Sequence, residues 1–128
     1  MPRHTAAFAN KNTVIECGTL DIALTLDCGQ AFRWRKNPDG SFSGVSGGCF
    51  TTLEPRGNGL FFRDTAEEDV RAVWVPYFGL DKDYTGRLSE ITRDPNVKAA
   101  YERYGAIRIL NQDPFETLIS FIISACNN

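Results

Sequence analysis

Apolar and polar residues alternate in short segments through the first half of the chain, a pattern typical of strands with one buried face. Glycine-rich turns and an Asn-Pro-Asp-Gly turn separate most of these segments, which predicts an antiparallel meander. The segment 20–26 also alternates, but a short helical turn leading into Gly29 is compatible with it as well. The predicted strands span residues 13–17, 31–36, 42–45, 49–54 and 60–63.

The second half of the chain changes to helical spacing of its apolar residues. Thr65, followed by Glu68 three residues later, predicts a capped helix start, and Pro76 should kink or end that helix. Two further helices are predicted at residues 84–91 and 96–104.

The last segment predicts a helix that is apolar on nearly every side. Asp113 is a suitable N-cap, and Pro114 suits the first helical position. The apolar residues around this helix are Phe115, Leu118, Ile119, Phe121, Ile122, Ile123 and Cys126. A helix of this kind belongs inside a protein, because burying each such side chain is worth ~1.5–3 kcal/mol. We therefore expect the chain to be a fragment that stops early in a second domain, with some self-association through the exposed helix.

Composition and charge limit the classes of function. The 128 residues suffice for one compact core, and the net charge of −2 lacks the basic surplus of most DNA-binding domains. No apolar run approaches the ~20 residues that cross a bilayer, and there is no signal-peptide pattern. We expect no membrane partner and no secretion, but a cytoplasmic protein if the source is bacterial and a nuclear one if it is eukaryotic.

The cysteines are too widely spaced for a zinc site, and His4 is the only histidine. We expect free thiols, packed as small apolar side chains in a reducing compartment, and no metal or other cofactor. The cysteines are Cys17, Cys28, Cys49 and Cys126.

Three motifs in order resemble the 8-oxoguanine DNA glycosylases of the helix-hairpin-helix superfamily. They read Gly-Gln-Ala-Phe-Arg-Trp from Gly29, Tyr-Phe-Gly-Leu-Asp from Tyr77, and Ile-Arg-Ile-Leu-Asn-Gln-Asp-Pro-Phe-Glu from Ile107 with Ser-Phe-Ile from Ser120. The resemblance implies the N-terminal part of a base-excision-repair glycosylase and AP lyase. Its implied partner is double-stranded DNA that contains 8-oxoguanine.

The resemblance also implies an α+β fold, a twisted antiparallel sheet with helices on one side that is similar to half of a TATA-binding protein. The first helix of an all-α domain follows it. We expect a loose N-terminus at residues 1–12, the sheet domain at 13–105, and the start of the helix-hairpin-helix catalytic domain at 106–128.

Gly29 occupies the position whose carbonyl, in the family, accepts a hydrogen bond from N7–H of 8-oxoguanine. Guanine has a bare acceptor at N7, and an unmatched polar group in a dry pocket costs ~1–3 kcal/mol. Only a residue without a Cβ allows so close an approach. The alternative is an ordinary turn glycine.

Asn127 and Asn128 match two of three consecutive asparagines that contact the cytosine opposite the lesion in the family, whereas Cys126 stands at the first position. This departure puts the cytosine contact in doubt, and an ordinary helix-end amide is the alternative for Asn127. Arg33 and Arg35 share a strand face that we expect to be solvated, with a phosphate contact as the alternative. We assign four aromatic residues to the core: Phe32, Trp34, Trp74 and Phe121.

The catalytic residues of the family are a lysine that attacks the sugar C1′ and an aspartate that follows a Gly-Val-Gly hairpin. No position from 14 to 128 matches them, and Lys36, Lys82 and Lys98 lie in polar contexts where an amine stays protonated. We therefore predict that this chain alone has no glycosylase or lyase activity. Two alternatives are the N-terminal domain of an alkylation-repair glycosylase and a small non-catalytic β-sheet binding module, which the acidic charge favours.

Overall fold

A computed structural model describes residues 12–105 and 107–127 of the chain. Within these residues, five antiparallel strands form one sheet in the order β1-β5-β4-β3-β2. The predicted meander and α+β class are confirmed, and the main difference is that β2 is shorter than predicted. The strands are β1 (Thr13–Glu16), β2 (Trp34–Lys36), β3 (Phe42–Ser46), β4 (Cys49–Arg56) and β5 (Gly59–Arg63).

The helices follow the predicted order. They are α1 (Ile22–Asp27), α2 (Glu67–Asp69), a π-helical stretch (Val70–Trp74), α3 (Val75–Phe78), α4 (Tyr84–Ile91), α5 (Pro95–Tyr104) and α6 (Pro114–Cys126). The ambiguous segment 20–26 is therefore helical, and its interpretation as a strand is wrong. Its helix begins after Asp21, whose carboxylate accepts a hydrogen bond from the Leu24 amide at 2.9 Å.

Thr65 does not cap the helix that follows it. The N-cap is Ala66, and the Thr65 hydroxyl is buried against Thr51 Oγ1 at 2.7 Å and the Arg63 carbonyl at 2.8 Å. These tertiary hydrogen bonds use the side chain that a capping box would need. The predicted cap is therefore wrong, although a helix does begin within two residues of Thr65.

Pro76 does not end the helix as predicted, and the change that the structure shows there is one of helix type. Proline has no amide to donate to the preceding turn, and the π-helical stretch ends just before it. The helix continues to Phe78 and ends at Gly79, whose φ of 61° lies in the left-handed region.

The core lies between one face of the sheet and the helices α1 and α3 with the π-helical stretch. An aromatic cluster lies at its centre, in which Trp34 packs against Trp74, Tyr77 and Phe78 at centroid distances of 5.5, 6.1 and 5.7 Å. Trp34 Nε1 donates to the Tyr77 hydroxyl at 2.9 Å, and burial raises the pKa of Tyr77. The core assignments of Trp34 and Trp74 are thus confirmed. The buried apolar residues are Cys17, Ile22, Leu26, Phe42, Leu53, Leu60, Phe62, Val70, Trp74, Tyr77, Phe78 and Leu110.

The core assignments of Phe32 and Phe121 are wrong for this structure. Their side chains are 48% and 46% exposed, and the two rings contact each other edge to face at 5.2 Å on the surface. The thiol prediction is also only partly correct. Cys17 is buried, which raises its pKa, whereas Cys28 and Cys126 are exposed.

The opposite face of the sheet carries a network of ion pairs. Arg63 bridges Asp39, at 2.8 Å, and Glu54, which also pairs with Arg56 at 3.0 Å. The Ser41 hydroxyl and Arg63 hold the pKa of Asp39 well below its usual range, and Arg63 also lowers that of Glu54. The network therefore keeps this face charged but internally balanced.

The predicted division of the chain into segments stays a prediction. The loose N-terminus predicted at residues 1–12 falls, apart from Asn12, outside the described residues, and the division between 13–105 and 106–128 is still a prediction. Within the described residues, no helix has the length and apolar character needed to cross a membrane.

Candidate functional site

Gly29 lies in the exposed turn that follows α1. Its φ of 85° is one that residues with a side chain rarely adopt, and a Cβ built there has no neighbour within 4 Å. Among the hydrogen bonds of the described residues, none ends on the Gly29 carbonyl. The turn therefore presents a solvent-facing residue with a free acceptor and open space around it.

Gln30 joins this turn to the extended segment that precedes α6. Its side-chain Nε2 donates to the Arg108 carbonyl at 2.8 Å, and its Oε1 accepts from the Leu110 amide at 2.9 Å. Its backbone carbonyl accepts a short hydrogen bond from the Gln112 side chain. Three polar groups of one residue are thus fixed by residues far along the chain.

Arg108 anchors the extended segment to the rest of the fold. It is 5% exposed, and its guanidinium donates to the carbonyls of Gly79 at 2.8 Å and Cys17 at 2.7 Å. The same group lies 4.4 Å from the centroid of the Tyr84 ring, an arrangement that favours a cation. Within the described part of the chain, no carboxylate pairs with this buried charge, so backbone carbonyls and an aromatic face stabilise it.

Helix α6 lies along the residues that follow Gly29. Its N-cap Asp113 accepts from the Glu116 amide at 2.8 Å, and the Glu116 carboxylate pairs with Arg33 at 2.7 Å. One turn further on, the Phe32 and Phe121 rings meet. Arg33 is half-exposed and paired, so the predicted solvated face is only partly correct, and a phosphate would have to compete with Glu116 for it.

Asn127, which was predicted to lie near the DNA strand opposite the lesion, is at the C-terminal end of α6. Asn127 is exposed and forms the C-cap, with its amide donating to the Ser124 carbonyl at 3.4 Å. At 1.5 Å per helical residue, it lies about 9 Å beyond Phe121 along the axis. Asn128 lies outside the described residues. Gly29 and Asn127 are therefore placed beside opposite ends of the same helix.

Gln30, Arg108 and Glu116 were not assigned roles from the sequence. Arg108 and Leu110 point inward while Ile107 and Ile109 are 37% and 71% exposed, which is the reverse of what the apolar pattern predicts. The alternation indicates an extended segment with one buried face, but it does not indicate that the face bearing Arg108 is the buried one. Within the described ranges, no group of histidine, cysteine and acidic side chains could hold a metal ion.

Comparison with known proteins identifies relatives over most of the chain. A family model described as the N-terminal domain of 8-oxoguanine DNA glycosylase matches residues 13–118. The curated protein N-glycosylase/DNA lyase OGG1 of Arabidopsis thaliana is 26% identical over 115 residues, which make up 85% of this chain and 32% of that protein.

Solved structures with the same fold include proteins captured with DNA. The apo form of the Clostridium acetobutylicum 8-oxoguanine glycosylase/lyase is 34% identical, with a TM-score of 0.84 over 93% of this chain and 42% of that one. The same enzyme with double-stranded DNA containing cytosine opposite 8-oxoG is 37% identical, with a TM-score of 0.78 over 87% of this chain and 38% of that one. MBOgg1 with a low-affinity DNA ligand is 32% identical, with a TM-score of 0.85 over 93% and 42%. The chain spans less than half the length of each of these relatives.

Proposed function

Since this chain belongs to the family of 8-oxoguanine DNA glycosylase N-terminal domains, we propose that it is the damage-recognising part of a base-excision-repair enzyme. That enzyme is a DNA N-glycosylase and AP lyase that removes 8-oxoguanine from double-stranded DNA. Its place of action is the cytoplasm in a bacterium and the nucleus in a eukaryote. The relatives named above support this proposal, although the chain covers 32–42% of their length.

The observation that carries the proposal is the free carbonyl of Gly29 on a fixed, exposed turn. 8-Oxoguanine has a proton on N7 where guanine has a lone pair. A carbonyl aimed at this position forms a hydrogen bond with the oxidised base and repels the normal one. Such a difference is worth ~1–3 kcal/mol, or about 5- to 150-fold in affinity.

The proposed chemistry begins with a base that is flipped out of the duplex. The Gly29 turn forms one wall of the pocket that receives it, and Asn127 and Asn128 lie near the opposite strand. The lysines in the described ranges, Lys36, Lys82 and Lys98, are all exposed, which supports the expectation that the lysine nucleophile is not among them. An incision assay on a duplex with 8-oxoguanine is expected to show no turnover by this chain alone, and turnover would overturn that expectation.

The binding function is tested with two duplexes. One carries 8-oxoguanine opposite an abasic-site analogue, so that no base pair has to be broken, and the other carries guanine at the same place. Nuclear magnetic resonance titration of the Gly29 amide measures even weak affinities. We expect the wild-type chain to bind the 8-oxoguanine duplex more tightly, and equal affinities would overturn the proposal.

Two glycine variants separate base recognition from backbone strain. Gly29→Ala adds a Cβ where the base should approach and is expected to abolish the preference for 8-oxoguanine. Gly40 is the matched control, because it has the same φ of 85°, no neighbour within 4 Å of a Cβ, and a position in a different turn. Gly40→Ala should therefore carry a similar strain and retain the preference.

The alternatives raised from the sequence receive no support from a described feature. The family model and the Clostridium acetobutylicum enzyme carry 8-oxoguanine in their names, which favours this function over alkylation repair and over a binding module unrelated to DNA.

A further inference from the structure

We infer that Gln30 is the positioning residue for damage recognition, because it fixes the Gly29 carbonyl at the distance and angle that discrimination requires. The inference rests on the function proposed for Gly29 and goes beyond it, since Gln30 itself need not touch DNA.

The Gln30 side-chain amide pairs with the extended segment in the way that the backbone of a neighbouring strand would. It donates to the carbonyl of Arg108 and accepts from the amide of Leu110, two backbone groups that lie on the same side of an extended segment. Only one orientation of the amide satisfies both bonds. The flipped orientation would set oxygen against oxygen and NH₂ against N–H.

The segment that Gln30 holds is itself immobilised by buried groups. Arg108 is tied to Gly79 and Cys17 through its guanidinium, and its amide donates to Thr25 Oγ1 at 3.2 Å. Leu110 belongs to the core. The segment around Arg108 and Leu110 is therefore held in place independently of the Gly29 turn. Through its bonds to this segment, the Gln30 side chain restrains the peptide that joins Gly29 to Gln30.

Gly29 needs such support because glycine restricts its own backbone less than any other residue. Hydrogen bonds weaken steeply when the angle at the proton departs from linearity, so a drifting carbonyl would accept from 8-oxoguanine poorly. The side-chain amide and the backbone carbonyl of Gln30 have partners, whereas the neighbouring Gly29 carbonyl has none among the described residues. Gln30 therefore holds the turn, and the carbonyl of the preceding residue, Gly29, is free to bind.

Gln30→Glu changes the donor and almost nothing of the shape. At neutral pH the carboxylate faces the carbonyl oxygens of Arg108 and, at a longer distance, Thr25, so these contacts become repulsive while the bond from Leu110 remains. At mildly acidic pH the protonated acid can donate to Arg108 and accept from Leu110, which restores the original pattern. Asn111→Asp is the matched control, since it makes the same charge change at an exposed amide that donates to Pro76.

The experiment measures the ratio of affinities for the 8-oxoguanine and guanine duplexes at both pH values, with thermal unfolding of every variant followed in parallel. For Gln30→Glu we expect the ratio to fall by at least about fivefold at neutral pH and to recover on acidification. Asn111→Asp should keep the wild-type affinity ratio at both pH values. A Gln30→Glu ratio that stays at the wild-type value, or that falls and does not recover in acid, overturns the inference.

The outcomes separate this inference from the function on which it rests. A wild-type ratio of one, or no detectable binding, overturns the function proposed for the chain. Hydrogen exchange of the wild-type chain then tests the Gln30 contacts without DNA and without a variant that has to fold. The Leu110 amide and the Gln30 side-chain amide should exchange more slowly than the side-chain amide of the exposed Asn96, an amide that donates to no acceptor among the described residues, and equal rates would overturn the positioning role.

Discussion

The indole of Trp34 lies against Gly44 on the neighbouring strand, where a Cβ added to the glycine would lie far inside van der Waals contact with ring atom Cδ2. No real Cβ approaches a ring so closely, so this part of the core requires a glycine. The reason is packing and not backbone conformation, because Gly44 does not have a positive φ.

Gly44→Ala is expected to destabilise the fold by about 1–3 kcal/mol, the usual cost of overpacking. Chemical denaturation measures the change. In the double mutant with Trp34→Phe the smaller ring should relieve part of this cost, giving a favourable coupling energy. Strictly additive effects would show that the contact is not the cause.

Arg108→Met is expected to lower the free energy of unfolding by about 2–5 kcal/mol, because it leaves buried carbonyls without a donor. Arg108→Lys should recover little of this, since an ammonium group cannot reproduce the planar fork that reaches both Gly79 and Cys17. Urea titration measures the free energy of unfolding of both variants. The exposed Arg93→Met serves as control and should change stability by less than about 0.5 kcal/mol. Similar effects at the two sites would contradict the anchoring role of Arg108.

Acid should weaken the fold through the ion pairs on the outer face of the sheet. The pKa values of Asp39 and Glu54 are lowered in the folded state, so their stabilisation is present above the unfolded values and is lost as pH falls below about 4. Because Asp39 is exposed and Glu54 is only partly buried, the effect is expected to be small. Unfolding free energies measured from neutral pH downward should fall less steeply for Arg63→Met. An unchanged slope would show that Arg63 does not set these pKa values.

The exposed side chains of α6 are expected to cause self-association. Phe115, Leu118 and Ile123 are 73%, 58% and 58% exposed, and they lie on an apolar helix. Sedimentation equilibrium should show an apparent mass that rises with concentration, and Leu118→Lys should reduce it. Val97→Lys, at an exposed position on α5, is the control. A clean monomer at all concentrations would contradict this expectation.

The strands and most helices were predictable because their signals are local. Alternation and turn residues lie within a few positions of one another, and the caps Asp94 and Asp113 act within three residues. The segment 20–26 was ambiguous because a short stretch can satisfy both periods, and its burial in the core decides the outcome.

Other features depend on partners far away in the sequence. Thr65 has Glu68 three residues later, as a capping box requires, but its hydroxyl forms a hydrogen bond with Thr51 across the sheet. The roles of Gln30 and Arg108 could not be predicted from spacing either, since their partners are carbonyls of the main chain, which carry no sequence signal. Gly29 was found only through its motif, although its positive φ gives it a physical reason to be glycine.

The link from Arg108 to the Cys17 carbonyl spans 91 positions of the sequence and has a consequence for synthesis. A chain emerging from the ribosome at about 5–20 residues per second exposes the whole sheet well before residue 110 appears. Until then, the end of β1 and the turn at Gly79 lack the group that joins them, and Leu110 is missing from the core. The packing of the sheet against its helices is therefore expected to be completed only after residues 108–110 have left the ribosome.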